Sequence, residues 1–151
     1  MYILDTDVFS ITSPTSGFAA PEAEAWRLWV KRNENGLYFS VVTIMEVRFG
    51  IEKSKAKGAT TKAGRLRKWL AAAETVHRNR VVPVTIEIAH RAGEVLYHAV
   101  GNGKTPSMED ALIAATADVK GFTVLSRNAK DMMALNARWL NPLEAAPPDI
   151  A

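Results

Sequence analysis

The chain has 151 residues, 48% of them apolar and 23% charged, which suits one domain with a real hydrophobic core and leaves little room for a second. It contains no cysteine, so disulfides, zinc–thiolate centres and thiol nucleophiles are excluded. The net charge of +3 hides an asymmetry: from Lys53 to Arg80 nine basic residues stand against the single acid Glu74, which leaves the rest of the chain acidic by five, a distribution that favours an anionic partner.

The predicted elements alternate along the chain. Tyr2-Ile3-Leu4 reads as a short buried strand. Asp5 and Asp7 interrupt the apolar run too early for a secretory signal core, and no stretch approaches the roughly 18 apolar residues that span a bilayer. A cytoplasmic protein with no membrane partner is therefore expected. Pro21 opens a helix through about Arg32, since proline fits a first helical turn, and Asn33 to Gly36 stops it. Leu37 to Ser40 reads as a second strand running on into Val41-Val42. Thr43 has the look of an N-cap, with Glu46 at capping-box spacing, for a helix that Gly58 closes. Another helix, from Lys62 to about His77, is basic on one face and carries Leu66, Trp69, Leu70 and Ala73 on the other.

Val81 to Val84 is a third strand, short or at an edge because of Pro83. Thr85 caps a helix from Ile86 to Ala99. Gly101 to Pro106 is a loop, and Ser107 caps the helix Met108 to Lys120, whose first turn holds Glu109 and Asp110 as the helix dipole prefers. Gly121 ends it. Phe122 to Ser126 is a fourth strand, Arg138-Trp139-Leu140 a candidate fifth, and Glu144 to Ala151 a loose tail. Strands that alternate with helices and are apolar without alternation imply an α/β fold with a mostly parallel sheet of about five strands covered on both faces.

Such sheets bind ligands beyond the carboxyl ends of their strands. Asp5 directly follows the first strand, Glu46 lies in the helix after the second, and Asp110 lies in a first helical turn. Each has an ordinary structural role available as a cap, a capping-box acid or a dipole partner. Together they share one rim. Two carboxylates about 5 Å apart repel by roughly 3 kcal/mol at an effective dielectric of 20, and a divalent cation removes that penalty. An acid-rich, all-oxygen cradle selects Mg²⁺ or Mn²⁺ over zinc or copper.

Four blocks carry a family resemblance: Ile3-Leu4-Asp5-Thr6-Asp7-Val8, then Thr43-Ile44-Met45-Glu46-Val47, then Glu109 to Ala117 (EDALIAATA), then Leu125-Ser126-Arg127-Asn128-Ala129-Lys130-Asp131. In order and spacing the chain resembles the VapC branch of the PIN-domain ribonucleases, in particular the FitB-like group of type II toxin–antitoxin toxins. The resemblance runs from Met1 to about Pro142. It implies a PIN-like α/β/α sandwich over residues 1–142, followed by a C-terminal tail, 143–151. It also implies an Mg²⁺-dependent endoribonuclease, with Mn²⁺ as a substitute, that cuts structured RNA such as tRNA by metal-activated water.

Carried over by position, Asp5, Glu46 and Asp110 are the metal-site acids, and Thr6 and Ser126 are hydroxyls placed to hold metal-bound water. Where the family often has a fourth aspartate this chain has Asn128; Asp131, three residues on, can share the same face of a short helix. The implied partners are a small VapB-like antitoxin, the RNA substrate and a second copy of the chain in a homodimer that can pair further. Candidate RNA contacts are Arg48 and Arg127 beside the expected pocket and Lys62, Arg65, Arg67 and Lys68 on the basic helix.

The competing readings are weaker. Asp5-Thr6-Asp7-Val8 also resembles the nucleophile motif of haloacid-dehalogenase-type phosphatases, but no acid pair follows the strand ending at Leu125. A catalytically weak or inactive PIN domain that binds RNA or a partner is the alternative that Asn128 raises. His77, His90 and His98 form no ligand set, and Trp26 and Trp29, at helical spacing, are core residues.

Overall fold

The computed structural model describes residues 1–18 and 21–150; Ala151, the last residue of the expected tail, lies outside them. Five strands, β1 (Tyr2–Leu4), β2 (Leu37–Ser40), β3 (Val81–Val82), β4 (Thr123–Leu125) and β5 (Trp139–Leu140), form one sheet in the order β3-β2-β1-β4-β5. Every pairing is parallel, and β3 is an edge strand that stops at Val82, before Pro83, rather than running to Val84. The helices are α1 (Thr6–Ser10), α2 (Pro21–Asn33), α3 (Val41–Ala56), α4 (Thr60–Val76), α5 (Ile86–Gly101), α6 (Met108–Lys120) and α7 (Ala129–Ala134). Among the described residues no helix is long and apolar enough to cross a membrane.

The period-two geometry of a strand sends alternate side chains to opposite faces, and two cores result. Tyr2 and Leu4 of β1, Leu37 and Phe39 of β2 and Leu125 of β4 face a core completed by Val8, Trp26, Trp29, Val47, Ile51 and Leu70. Ile3 and Val124 face the other core, built with Ile88, Val95, Ala114, Ile113 and Met132. Helices α1, α2 and α4, with most of α3, cover the first face, and α5, α6 and α7 cover the second. Right-handed crossovers dictate this division. The chain moves outward from β1 to β3, then returns past β1 to β4 and β5, so the connecting helices change face where the direction reverses.

Two sequence expectations are corrected. Val41 and Val42 begin α3 rather than extend β2, and its N-cap is Ser40, whose hydroxyl accepts from Val42 N–H at 3.1 Å. Thr43 lies inside the first turn, wholly buried, with its hydroxyl directed to the Leu4 carbonyl. The β-branched valines carry strand propensity, but the cap and burial of Val42 against the second core override it.

The C-terminal segment is also not loose. Tyr2 donates its hydroxyl to the Pro148 carbonyl at 3.1 Å, and buried Asn33 accepts from Ile150 N–H at 2.6 Å while donating to Asp149 at 2.7 Å. Ile150 packs into the space beside Gly36, where any larger side chain would strike it. Leu143 and Ile150 thereby join the first core. Asn33→Ala removes these bonds from a buried position. It should cost about 2 kcal/mol and lower the melting temperature by about 5 °C, with proteolysis trimming the chain after Pro142. An unchanged melting curve and an intact C-terminus would show that the clasp contributes nothing.

Candidate active site

In-register pairing decides what stands on the carboxyl rim. Leu4 lies opposite Phe39 on one side and Leu125 on the other, so the next residues, Asp5, Ser40 and Ser126, emerge side by side, and all three are buried. The rim between β1 and β4 is the place where strand order reverses, the crevice that open parallel sheets offer to ligands.

Asp5 is held there from three directions. Its N–H donates to the Leu125 carbonyl at 3.0 Å, its Oδ1 accepts from Thr6 N–H at 2.7 Å, and its Oδ2 accepts from the Ser126 hydroxyl at 2.7 Å. The cap of α1 and the rim carboxylate are therefore one residue. Glu46 arrives from the second turn of α3. With Ser40 as the cap, Glu46 has no capping-box duty, and its Oε2 accepts a short hydrogen bond from the Thr6 hydroxyl. Asp110 sits in the first turn of α6, where its N–H donates to the capping Ser107 hydroxyl at 3.0 Å. Asn128 caps α7: its N–H donates to Ser126 Oγ at 2.9 Å, and its Nδ2 donates to Asp131 Oδ2 at 2.8 Å. The residue in the doubtful fourth position thus orients the nearby acid.

The carboxylates perturb one another. Burial pushes Asp5 up to about 7, with Asp7 and Asp110 adding repulsion and the Ser126 and Thr6 hydrogen bonds opposing it. Burial likewise raises Glu46, against which Asp110, Glu109 and Asp7 repel, and Asp110, against which Asp131 and Glu109 repel. The rim therefore gathers Asp5, Glu46, Asp110 and Asp131 into one field of like charge. Among the described residues no three histidine, aspartate or glutamate side chains converge tightly enough to clasp one ion by themselves.

Asp7 was not among the expected site residues, yet it faces the same region. Burial raises it, and Arg127 lowers it in return. Its Oδ1 is buried without a hydrogen-bond partner. The signal was available: a cap at Asp5 puts Asp7 in the first turn of α1, on the rim, rather than on the far side of a continuing strand. A cavity of about 370 Å³ opens beside the acids, its wall combining the polar Thr6, Asp7, Glu46, Lys62 and Arg127 with the apolar Phe18 and Trp69.

Of the six basic candidates, then, Arg127 and Lys62 reach the site. Arg48 does not line that cavity and pairs with Glu52 at 2.9 Å; Arg67 lies 3.8 Å from the same Glu52. Arg65 and Lys68 lie on α4 away from the cavity lining. The histidines stay apart, with His77 near the Phe39 ring and His90 and His98 exposed on α5.

A carboxyl raised in the folded state stabilises the fold below its unfolded value near 4, and that stabilisation is lost as pH rises through the folded value. In EDTA the melting temperature should therefore fall as pH rises from about 4 to 7. Asp5→Asn should flatten the profile and melt higher than the unsubstituted chain at pH 8. Coincident profiles for the two proteins would mean that Asp5 carries no such penalty.

The PIN-domain family model matches residues 2–134. The VapC ribonuclease Y4jK of Sinorhizobium fredii is 30% identical over 148 residues, covering 97% of this chain and all of that protein. In three dimensions the chain is similar to FitAcB from Neisseria gonorrhoeae, with a TM-score of 0.78 at 24% identity, over 96% of this chain and 100% of that one. It is also similar to VapBC2 from Rickettsia felis bound to a DNA fragment from their promoter, with a TM-score of 0.65 at 20% identity, over 93% and 97% of the two chains. These two structures share its fold. With a family model spanning nearly all of its sheet, and a full-length relative matched from end to end, this chain belongs to the PIN-domain family, in its VapC branch.

Proposed function

We propose that the chain is a divalent-metal-dependent endoribonuclease, the toxin of a cytoplasmic toxin–antitoxin pair, that cuts structured RNA such as tRNA. The observation that carries this reading is the buried Asp5 at the β1–β4 reversal, held by Ser126 and Thr6 among acids that raise one another. A fold gains nothing from such repulsion, whereas a cation-dependent site requires it. The name of the relative, a VapC ribonuclease, supports the same chemistry.

The donor set fits Mg²⁺ or Mn²⁺. It consists of hard oxygens only, and Mg²⁺ keeps several waters and takes one or two carboxylates, so the acids need not close into a direct three-ligand clasp. Asp5, Glu46 and Asp110 would hold the ion, and bound metal supplies charge neutralisation at the phosphate and activation of water. The protein's own residues do the positioning. Ser126 and Thr6 fix the Asp5 carboxylate, the Thr6 hydroxyl also orients Glu46, and Asn128 holds Asp131 near Asp110. Asp131, not Asn128, is the better fourth acid. Arg127 and Lys62, on the cavity wall beside Asp7 and Glu46, are the groups placed to meet the RNA backbone.

The partners follow the relatives. Solved structures of similar fold include a toxin–antitoxin complex from Klebsiella pneumoniae and VapBC-5 of Mycobacterium tuberculosis, a member of the VapBC family of toxin–antitoxin systems, and a small VapB-like antitoxin is proposed for this chain. A homodimer that can pair further is proposed as well, supported by the exposed stripe Val41, Met45 and Phe49 at helical spacing on α3.

The test is cleavage of total tRNA and a structured RNA pool by purified, antitoxin-free protein. Discrete cuts are expected with Mg²⁺ or Mn²⁺ and none with EDTA, and Asp5→Asn or Asp110→Asn should lose about 10²-fold or more. Asp131→Ala should slow cutting if it is the fourth acid. A saturating excess of Mn²⁺ should raise the melting temperature, about 2.7 kcal/mol at 100 times Kd. A folded protein that cuts no RNA with either metal is a binding-only PIN domain, and the proposal is then wrong.

A further inference from the structure

Arg127 stands on the loop between β4 and α7, yet α1 holds it. Asp7 Oδ2 accepts both from the Arg127 backbone N–H at 3.0 Å and from its Nε–H at 3.3 Å. The guanidinium also lies over the Phe18 ring, 5.3 Å from its centroid. One carboxylate oxygen therefore pins the loop and the edge of the side chain at once, and an aromatic face supports the cation. Arginine carries five N–H donors in a rigid fork. With Nε engaged by Asp7, the terminal Nη pair takes up no acceptor among the described residues, and the side chain lines the cavity together with Thr6 and Glu46.

We infer that Asp7 is a positioning residue that acts through Arg127, orienting its Nη fork to grip a backbone phosphate of RNA entering the acid-lined cavity. The inference rests on the ribonuclease reading and adds to it a division of labour. Asp5, Glu46 and Asp110 serve the metal, while Asp7 directs its charge to a cation of the protein itself. Lysine at position 127 would keep the charge and lose both the Nε anchor and the fork.

The experiment is equilibrium binding of labelled total tRNA in EDTA across a salt series, with cleavage kinetics in Mn²⁺ alongside, for the unsubstituted protein, Arg127→Ala, Arg127→Lys, Asp7→Ala, Asp7→Asn and the double alanine variant. Removing one phosphate-binding cation lowers the slope of log K against log salt by about 0.7 on single strands and about 0.9 on duplex. Arg127→Ala should show that drop, with binding about tenfold weaker and KM raised more than kcat is lowered. Asp7→Ala should match it, and the double variant should be no worse than Arg127→Ala, because the two residues act as one unit. Asp7→Asn, which keeps an acceptor oxygen, should recover most of the binding, and Arg127→Lys should not.

If Asp7→Ala fails to fold by circular dichroism, Asp7→Asn and the two Arg127 variants decide. An unsubstituted protein that cuts RNA, with variants of unchanged salt slope and KM, overturns the positioning role and leaves the ribonuclease standing. Additive losses in the double variant overturn the coupling. Failure of the unsubstituted protein to bind or cut tRNA overturns both readings.

Discussion

A carboxylate buried where a parallel sheet reverses its strand order is the constraint on which the rest of the rim depends. Asp5 leaves β1 with its own N–H bonded to β4 and its side chain bonded to Thr6 and Ser126. Those bonds make it a helix cap and a joint between β1 and β4. They do not satisfy it as a charge, because desolvation and neighbouring acids still raise it to about 7. A cap can be neutral and cost little. A buried anion among anions is a standing penalty, and it is the kind of penalty that function, rather than folding, explains.

The same double use of residues recurs around the rim. Ser107 caps α6 and thereby sets Asp110 in its first turn; Asn128 caps α7 and grips Asp131; Ser126 serves Asp5 and the Asn128 backbone at once. Glu46, Asp110 and Asp131 each stand on the first or second turn of a helix whose start is fixed by a neighbouring hydroxyl or amide, and Asp5 is itself the cap of α1. Short helices such as α1 and α7 are marginal by themselves, so these caps, and packing of Val8, Phe9 and Met132 into the two cores, keep the site in place. Positions that look like ordinary capping chemistry are where the electrostatic strain is stored.

Charge is also divided by element. The basic residues of α4 stay mostly in solvent, where their effect on an RNA is long-ranged and screened by salt. Of the six candidate cations, Lys62 and Arg127 reach the cavity with the acids. Attraction at a distance and grip at the site are thus properties of different residues, and composition alone could not separate them.

The sequence by itself determined the parallel α/β architecture and the family, because apolar runs, caps and motif order are local properties that survive without coordinates. It also determined that Asp5, Glu46 and Asp110 share one rim, since each follows a strand end or opens a helix. It misplaced the start of α3, because β-branched valines read as strand until burial and the Ser40 cap are known. It left the C-terminus loose, because the partners of Asp149 and Ile150 lie more than a hundred residues away at Asn33. Only the tertiary structure decided which cations reach the acids and what Asp7 does. The Asp7–Arg127 contact joins residues 120 apart in the chain, and no local pattern encodes which of six basic candidates the packing of α1 against the β4–α7 loop will bring home.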